Sequence, residues 1–294
     1  MRAIQYTGFG GGAASLKYVE NPVPLLGKNE VLVKVEAASI NPADWKIQKG
    51  MLRPFLPKFP CIPVTDVAGE VAEVGSSVRE FKVGDKVLCR LNFGKGGGLA
   101  EYVVASESKI AARPAGVSAA DAAGLPISGL TALQALMSIG TKFDGTCRGA
   151  DILVTAASGG VGTYAGLGAD EVLGYKTPEG LALTSPSGRK YDYVINTTDA
   201  SRWSALRPSL SGRGRVVDVT PNPGNYVASV LTRKKISMLA QVSLGKEHMR
   251  FLLELVAEGK LRTVVDRRHP FEKAAEAWER SMAGHATGKI IVEM

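Results

Sequence analysis

Apolar and polar positions change rhythm once along this chain. Over roughly the first 115 residues, short runs of strand-forming residues are cut by Gly and Pro turns. Residues 31–37, 69–75, 81–88 and 99–104 each read as strands, with Gly84-Asp85 as a turn inside the third. Short strands with that punctuation predict a small barrel, so this part reads as all-β. Near residue 117 the texture shifts. Ser118-Ala119-Ala120-Asp121 opens a helix with a serine cap, and residues 131–137 continue as helix after a break at Pro126 to Gly129. Apolar runs at 151–155, 171–175, 191–196 and 214–219 then alternate with helical stretches, the rhythm of a parallel α/β sheet. Met249, Leu252, Leu253 and Val256 make one helical stripe ended by Gly259. Phe271, Ala274, Ala275, Trp278 and Met282 make a second, ended by Gly284, and residues 288–292 close as a strand. Both stripes read as core packing.

The 294 residues allow one large or two ordinary domains, and 45% hydrophobic with 22% charged residues suits a sizeable core. No apolar run approaches the roughly 20 residues of a membrane span. Met1-Arg2-Ala3-Ile4 enters a strand-like stretch at once, so no cleavable leader is expected. Cys61, Cys89 and Cys147 show no CxxC spacing, which argues for a reducing compartment over a disulfide framework. His248, His269 and His285 are too scattered for a metal site. The net charge of +8 suits an anionic cofactor, an anionic lipid surface or nucleic acid. No basic helix and no RNA-binding aromatic signature accompanies it, so nucleic acid is not the expected partner.

The strand-like run Ile152-Leu153-Val154-Thr155 leads into Ala156-Ala157-Ser158-Gly159-Gly160-Val161-Gly162. A strand entering a glycine-rich turn is how dinucleotide-binding units surround a pyrophosphate with backbone N–H groups. The spacing is a variant of GxGxxG, and by itself reads equally well as a tight turn. The stretch beyond the turn is too short. A βαβ unit takes about 30 residues or more, and a three-turn helix about 11. Here only residues 163–170 separate the turn from Glu171-Val172-Leu173, and Gly166 and Gly168 oppose a helix. The chain reads as if about 25 residues had been cut out after Ala165, judged against an ordinary βαβ length. The expected consequences are a lost or stunted pyrophosphate helix, a lost strand with its adenosine contacts, apolar surface left uncovered, and a poorly active chain with a severely weakened grip on a nucleotide.

Several stretches together resemble the medium-chain dehydrogenase/reductase family. They are Asn41-Pro42-Ala43-Asp44-Trp45-Lys46, Pro63-Val64-Thr65-Asp66-Val67-Ala68-Gly69, Val83-Gly84-Asp85-Lys86-Val87 and Gly97-Gly98-Leu99-Ala100-Glu101-Tyr102. Leu125-Pro126-Ile127-Ser128-Gly129-Leu130-Thr131-Ala132, the turn at 158–162 and Gly284-His285-Ala286-Thr287-Gly288-Lys289 complete the set. Residues 44–50 and Arg53-Pro54-Phe55-Leu56-Pro57 are similar to the plant plastid-envelope quinone oxidoreductase branch, NADPH-dependent reductases of oxoenes. The resemblance implies an α/β fold with an all-β part: a GroES-like barrel at 1–115, a Rossmann-like doubly wound parallel sheet at 116–243 lacking a helix–strand–helix segment near 165–166, and a return to the barrel domain at 244–294. It implies NADPH, a small quinone or α,β-unsaturated carbonyl substrate held between barrel and nucleotide domain, a homodimer, and a chloroplast location, envelope-associated or stromal, with the cytoplasm as alternative.

The resemblance also implies site residues. Asn41 is expected to donate to the substrate carbonyl, and Lys46 to hold the nicotinamide ribose or the developing enolate. By residue type alone, Asn41 is a turn former and Lys46 a surface cation. Thr131 is placed at the nicotinamide, with a helix cap as its plainer role, and Tyr175 at the 2′-phosphate. Ser158, Gly159, Gly160, Val161 and Gly162 belong to the pyrophosphate turn. Asn196 and Thr220 end strands, where ligands bind in open α/β sheets; Lys289 joins the cofactor residues. Zinc-dependent relatives need a Cys near position 41 and a His-Glu pair at 65–66; Asn41 and Thr65 are not zinc ligands, so no metal is expected. Two other readings stand beside the reductase: a basic protein that binds anionic lipid or RNA without turnover, and an inactive truncated product.

Overall fold

The alternating strand pattern of the first third closes around one long strand. The computed structural model describes every residue except 52–57, 145, 147–148, 167–168, 175, 221, 233–234 and 240–242. From the N-terminus run β1 (Arg2–Gln5), β2 (Lys17–Glu20), β3 (Glu30–Ile40), α1 (Pro42–Gln48), β4 (Asp66–Val74), β5 (Lys86–Arg90), β6 (Tyr102–Ser106) and β7 (Ile110–Ala112). Then come α2 (Ala119–Ala123), α3 (Pro126–Ser138), β8 (Ile152–Val154), α4 (Gly160–Ala165), α5 (Pro178–Leu181), β9 (Tyr191–Asn196), α6 (Trp203–Leu206), β10 (Leu210–Asp218), α7 (Pro223–Leu231) and β11 (Ile236–Met238). The chain closes with α8 (Lys246–Ala257), β12 (Val265–Pro270), α9 (Ala274–Met282) and β13 (Lys289–Glu293). Two compact units result: Met1–Leu130 with Leu244–Met294, and Thr131–Ser243.

In the first unit β3 is the spine of a seven-stranded sheet, order β12-β13-β3-β4-β5-β7, with β6 on β3 as well. The pairs β3–β4 and β3–β13 are antiparallel, so β4 and β13 both begin where β3 ends. That places residues 41, 66 and 289 at one end of the sheet. The apolar faces of these strands and of α9 form one core, in which Trp278 is 0% exposed and donates Nε1 to Gln48 Oε1 at 3.2 Å. Residues 1–115 are not wholly strand, however. Pro42 at the first helical position and a capping box between Asn41 and Asp44 nucleate α1. The serine cap of α2 forms, with Ser118 Oγ accepting from Asp121 N at 3.1 Å. The expected break at Pro126 to Gly129 does not: α3 is continuous through it. A Cβ on Gly129 would lie 3.0 Å from Leu252 Cδ1, so this glycine serves close packing against α8.

The second unit carries a parallel four-stranded sheet, order β11-β10-β9-β8. One core cluster holds Leu153, Tyr191, Val194, Leu206, Val216, Ala228 and Ile236, and a second holds Ala135, Ile195 and Val217. After β8 the chain makes the six-residue α4 and the four-residue α5, with no strand between them and β9 among the described residues, and β8 pairs directly with β9. Among the described residues no strand covers the other edge of β8. The expected strand at 171–175 does not form over 171–174, and Val172 is 85% exposed. A β-prone run with no neighbour to exchange ladder hydrogen bonds with has nothing to hold it extended.

Candidate functional site

At the shared end of β3, β4 and β13 five polar side chains are packed together, none more than 3% exposed: Asn41, Asp44, Asp66, Ser128 and Lys289. Lys289 Nζ donates to Asn41 Oδ1 and, at 2.9 Å, to Ser128 Oγ. Asn41 Nδ2 donates to Asp66 Oδ2 at 3.0 Å and to the Ser39 carbonyl at 3.1 Å. The orientation of the amide follows from charge, since a flip would set NH2 against the ammonium and oxygen against the carboxylate. Asp66 Oδ2 also accepts the Ile127 N–H of the first turn of α3 at 3.0 Å, and Asp44 Oδ2 accepts the Asn41 N–H at 2.7 Å. Both Nδ2 hydrogens of Asn41 are therefore used within the protein. The expected donation from Asn41 to a substrate carbonyl has no hydrogen left to make it. Ser39 Oγ, Thr65 Oγ1 and Asp66 Oδ1 are buried without a partner, a concentration of unsatisfied atoms typical of a working site.

Burial sets the charges here. It raises the Asp44 carboxyl to about 8, against the pull of the Asn41 N–H, and raises Asp66 to about 6. Burial also lowers the Lys289 amine, while Asp66 and Asp44 hold it up. The shift of Asp44 from 3.8 to about 8 makes its contribution to stability full below pH 3.8, falling as the pH rises through about 8. Asp44→Asn keeps an acceptor for the Asn41 N–H and removes that dependence. Melting at about pH 5 and about pH 9 is expected to show a smaller alkaline loss in the variant than in the native chain. Equal losses would contradict the assignment.

Lys46 lies on α1, half-buried, with its ammonium 5.6 Å from the Trp45 ring centroid. Thr131 is 8% exposed and sits inside α3, so it is not a helix cap.

In the second unit the glycine turn follows β8 as expected. Gly159 is the N-cap of α4, Ser158 is exposed, and Gly160 and Val161 are half-buried on its first turn. A Cβ on Gly162 would stand 2.4 Å from the Ala156 carbonyl oxygen, so this glycine lets α4 close onto its own turn. The strand ends are tied by a polar ladder. Thr155 Oγ1 donates to Asn196 Oδ1 at 2.8 Å, and Asn196 Nδ2 donates to Asp218 Oδ1 at 3.0 Å and the Thr198 carbonyl at 2.9 Å. Asn225 Nδ2 donates to Asp218 Oδ2 at 2.5 Å. Asn196, 0% exposed, is a strut between strands with no hydrogen free for a ligand. Thr220 Oγ1 is buried and unpartnered at the same strand ends. Tyr175 lies outside the described residues.

Comparison with known proteins decides the family. The chain is 53% identical to the chloroplast envelope quinone oxidoreductase homologue of Arabidopsis thaliana, covering 100% of this chain and 98% of that protein. The chain belongs to the medium-chain dehydrogenase/reductase family. Within the family, residues 27–115 match the alcohol dehydrogenase GroES-like domain, and residues 167–292 match the zinc-binding dehydrogenase domain. The fold is accordingly a GroES-like domain with a Rossmann-like parallel sheet. The quinone oxidoreductase of Coxiella burnetii superposes with a TM-score of 0.85 at 30% identity, covering 100% of this chain and 99% of that one. An NADPH-dependent alkenal/one oxidoreductase of Arabidopsis thaliana is 30% identical over 99% of this chain and 79% of its own. The first of these alignments spans 323 positions against 294 residues, a difference of 29 positions that the relative fills and this chain does not. Among the described residues β8 has no strand on its outer edge and is followed by the six-residue α4.

A family named for zinc raises the question of whether these residues fit one. The buried polar groups are the Asp66 and Asp44 carboxyls, the Asn41 amide, the Ser128 hydroxyl and the Lys289 ammonium, which has no lone pair to offer and whose charge opposes a dication. Among the described residues no three His, Cys, Asp or Glu side chains gather as ligands. The set does not fit a zinc ion. Sequence reasoning does not reach Asp66, Ser128 and Asp44 as functional candidates. A signal was present in Asp66, a carboxylate inside the apolar run 63–69, which burial obliges to find partners.

Proposed function

We propose that the protein is an NADPH-dependent reductase of quinones or of the C=C bond of α,β-unsaturated carbonyls, with a weakened hold on the nucleotide. The observation that carries this reading is a parallel sheet ending in a glycine turn, in a chain matching a quinone oxidoreductase homologue from end to end. The bound nicotinamide supplies a hydride to the substrate. The first-turn N–H groups of α4, free of helical acceptors, suit the pyrophosphate. The adenosine end finds less, because among the described residues β8 has no strand beyond it. The residues present thus fit one end of the cofactor better than the other.

Negative charge grows on the substrate carbonyl oxygen during hydride transfer and calls for a positioned donor. With the Asn41 amide saturated, Lys46 on α1 is the proposed cation for that oxygen or for the nicotinamide ribose. Thr131 is proposed at the nicotinamide itself. Lys46→Ala is expected to lower kcat/KM by about tenfold or more, measured by cofactor absorbance with a quinone and an enone, and an unchanged value would remove its role. For the reading as a whole, the test is cofactor oxidation with NADPH beside NADH. Turnover with NADPH at high concentration supports it, and none at about millimolar cofactor would contradict it. A plastid location follows by resemblance to the same relatives. Assembly as a homodimer is proposed from the family alone, and sedimentation of the purified chain checks it.

A further inference from the structure

We propose that Lys289 is a positioning residue for hydride transfer: held between Asn41 and Ser128, it seats the first turn of α3 and thereby sets where Thr131 stands. The inference rests on the reductase reading above and gives the inner end of the site a function that the cofactor-binding expectation for Lys289 does not describe.

The side chain faces inward. Lys289 is 2% exposed, and its ammonium donates to Asn41 and Ser128. The Asn41 amide lies between the ammonium and Asp66, oxygen toward the positive group and NH2 toward the negative one. A buried charge persists only where its surroundings satisfy it, so this sandwich couples the three groups into one arrangement. Two of its contacts land on α3: Ser128 Oγ takes a hydrogen from Lys289, and the Ile127 N–H reaches Asp66. A carboxylate receiving a first-turn N–H of a helix is a favourable anchor. Thr131 follows Ser128 three residues on, on the same face of the helix.

The delivery of Lys289 is built with similar care. Arg280 grips Asp266 with two hydrogen bonds of 2.8 and 2.9 Å and also donates to the His285 carbonyl at 3.0 Å. Asp266 Oδ1 accepts the Thr287 N–H at 2.8 Å. Gly288 has φ +89, and a Cβ there would stand 2.1 Å from the Val264 carbonyl oxygen. Only glycine lets the chain pass so close, and Lys289 N then donates to that same carbonyl at 2.8 Å. The loop before β13 therefore fixes the backbone from which the ammonium reaches inward.

The test compares Lys289→Met with the double variant Lys289→Met/Asp66→Asn, in which the stranded carboxylate is removed as well. The single variant is expected to melt lower, and the double variant to recover most of the native melting temperature. In the folded double variant kcat is expected to fall by about tenfold or more while KM for NADPH stays within about twofold, with a larger primary isotope effect from 4-deuterated NADPH. A rise in KM for NADPH with kcat unchanged would make Lys289 a cofactor ligand and overturn the proposal; native kcat and isotope effect in the folded variant would also overturn it. If the native chain reduces no quinone or enone, the reductase reading fails by itself. Amide exchange over residues 127–129 in Lys289→Met then decides the seat: exchange faster by about tenfold supports it, and native exchange overturns it.

Discussion

Inserting after Ala165 the stretch that the Arabidopsis thaliana relative carries and this chain lacks is expected to slow amide exchange across Ile152–Val154 by about a hundredfold. Among the described residues β8 pairs on one side only, with β9, and its apolar residues are partly open: Ile152 and Val154 are half-buried and Val172 is 85% exposed. Moving one large apolar side chain from water to core contributes about 1.5–3 kcal/mol, so covering Val172 together with the open parts of Ile152 and Val154 is of the order of the roughly 2.7 kcal/mol of a hundredfold change. A neighbouring strand would also engage the edge N–H and C=O groups that now invite pairing with other chains. Exchange measured by mass spectrometry on the two versions checks this. Equal rates at β8 would mean that the edge is already covered.

The second large effect lies in the other unit. Trp278→Ala is expected to destabilise the first unit by about 3–5 kcal/mol, the range for deleting a buried aromatic side chain. Trp278 is 0% exposed on α9 and holds Gln48 Oε1, which the substitution leaves without that partner. Urea unfolding followed by far-ultraviolet dichroism measures it, and a loss below about 1 kcal/mol would show that the core can collapse around the gap.

These two effects fall on features that differ in how visible they are along the chain. Trp278 sits in a helical stripe that periodicity reveals at once, as does the Ser118 cap, because both depend on neighbours a few residues apart. The strand periodicity at 191–196 likewise becomes β9. The run at 171–174 has the composition of a strand and forms none, because pairing is a property of two segments and among the described residues no strand lies beside it. The site is harder still to read. Asn41 and Asp66 are 25 residues apart, and Asn41 and Lys289 are 248 apart. They meet because β4 and β13 both run antiparallel to β3, a topological fact that no local pattern carries. The same distance explains why Asn41 reads as a substrate donor: its saturation depends on a carboxylate and an ammonium supplied from far along the chain. Gly129 misleads in the opposite sense, since a glycine that suggests a break proves necessary for the approach of α8.

The second unit keeps its glycine turn, among the described residues no strand flanks the outer edge of β8, and the proposed grip on NADPH is correspondingly weak. Fluorescence titration with NADPH, run on the native chain beside the version with the stretch restored, tests this most directly. The native chain is expected to bind with a Kd weaker than about 100 μM and the restored version in the low micromolar range, a gap of roughly 2 kcal/mol or more. Micromolar binding by the native chain, equal to that of the restored version, would contradict it.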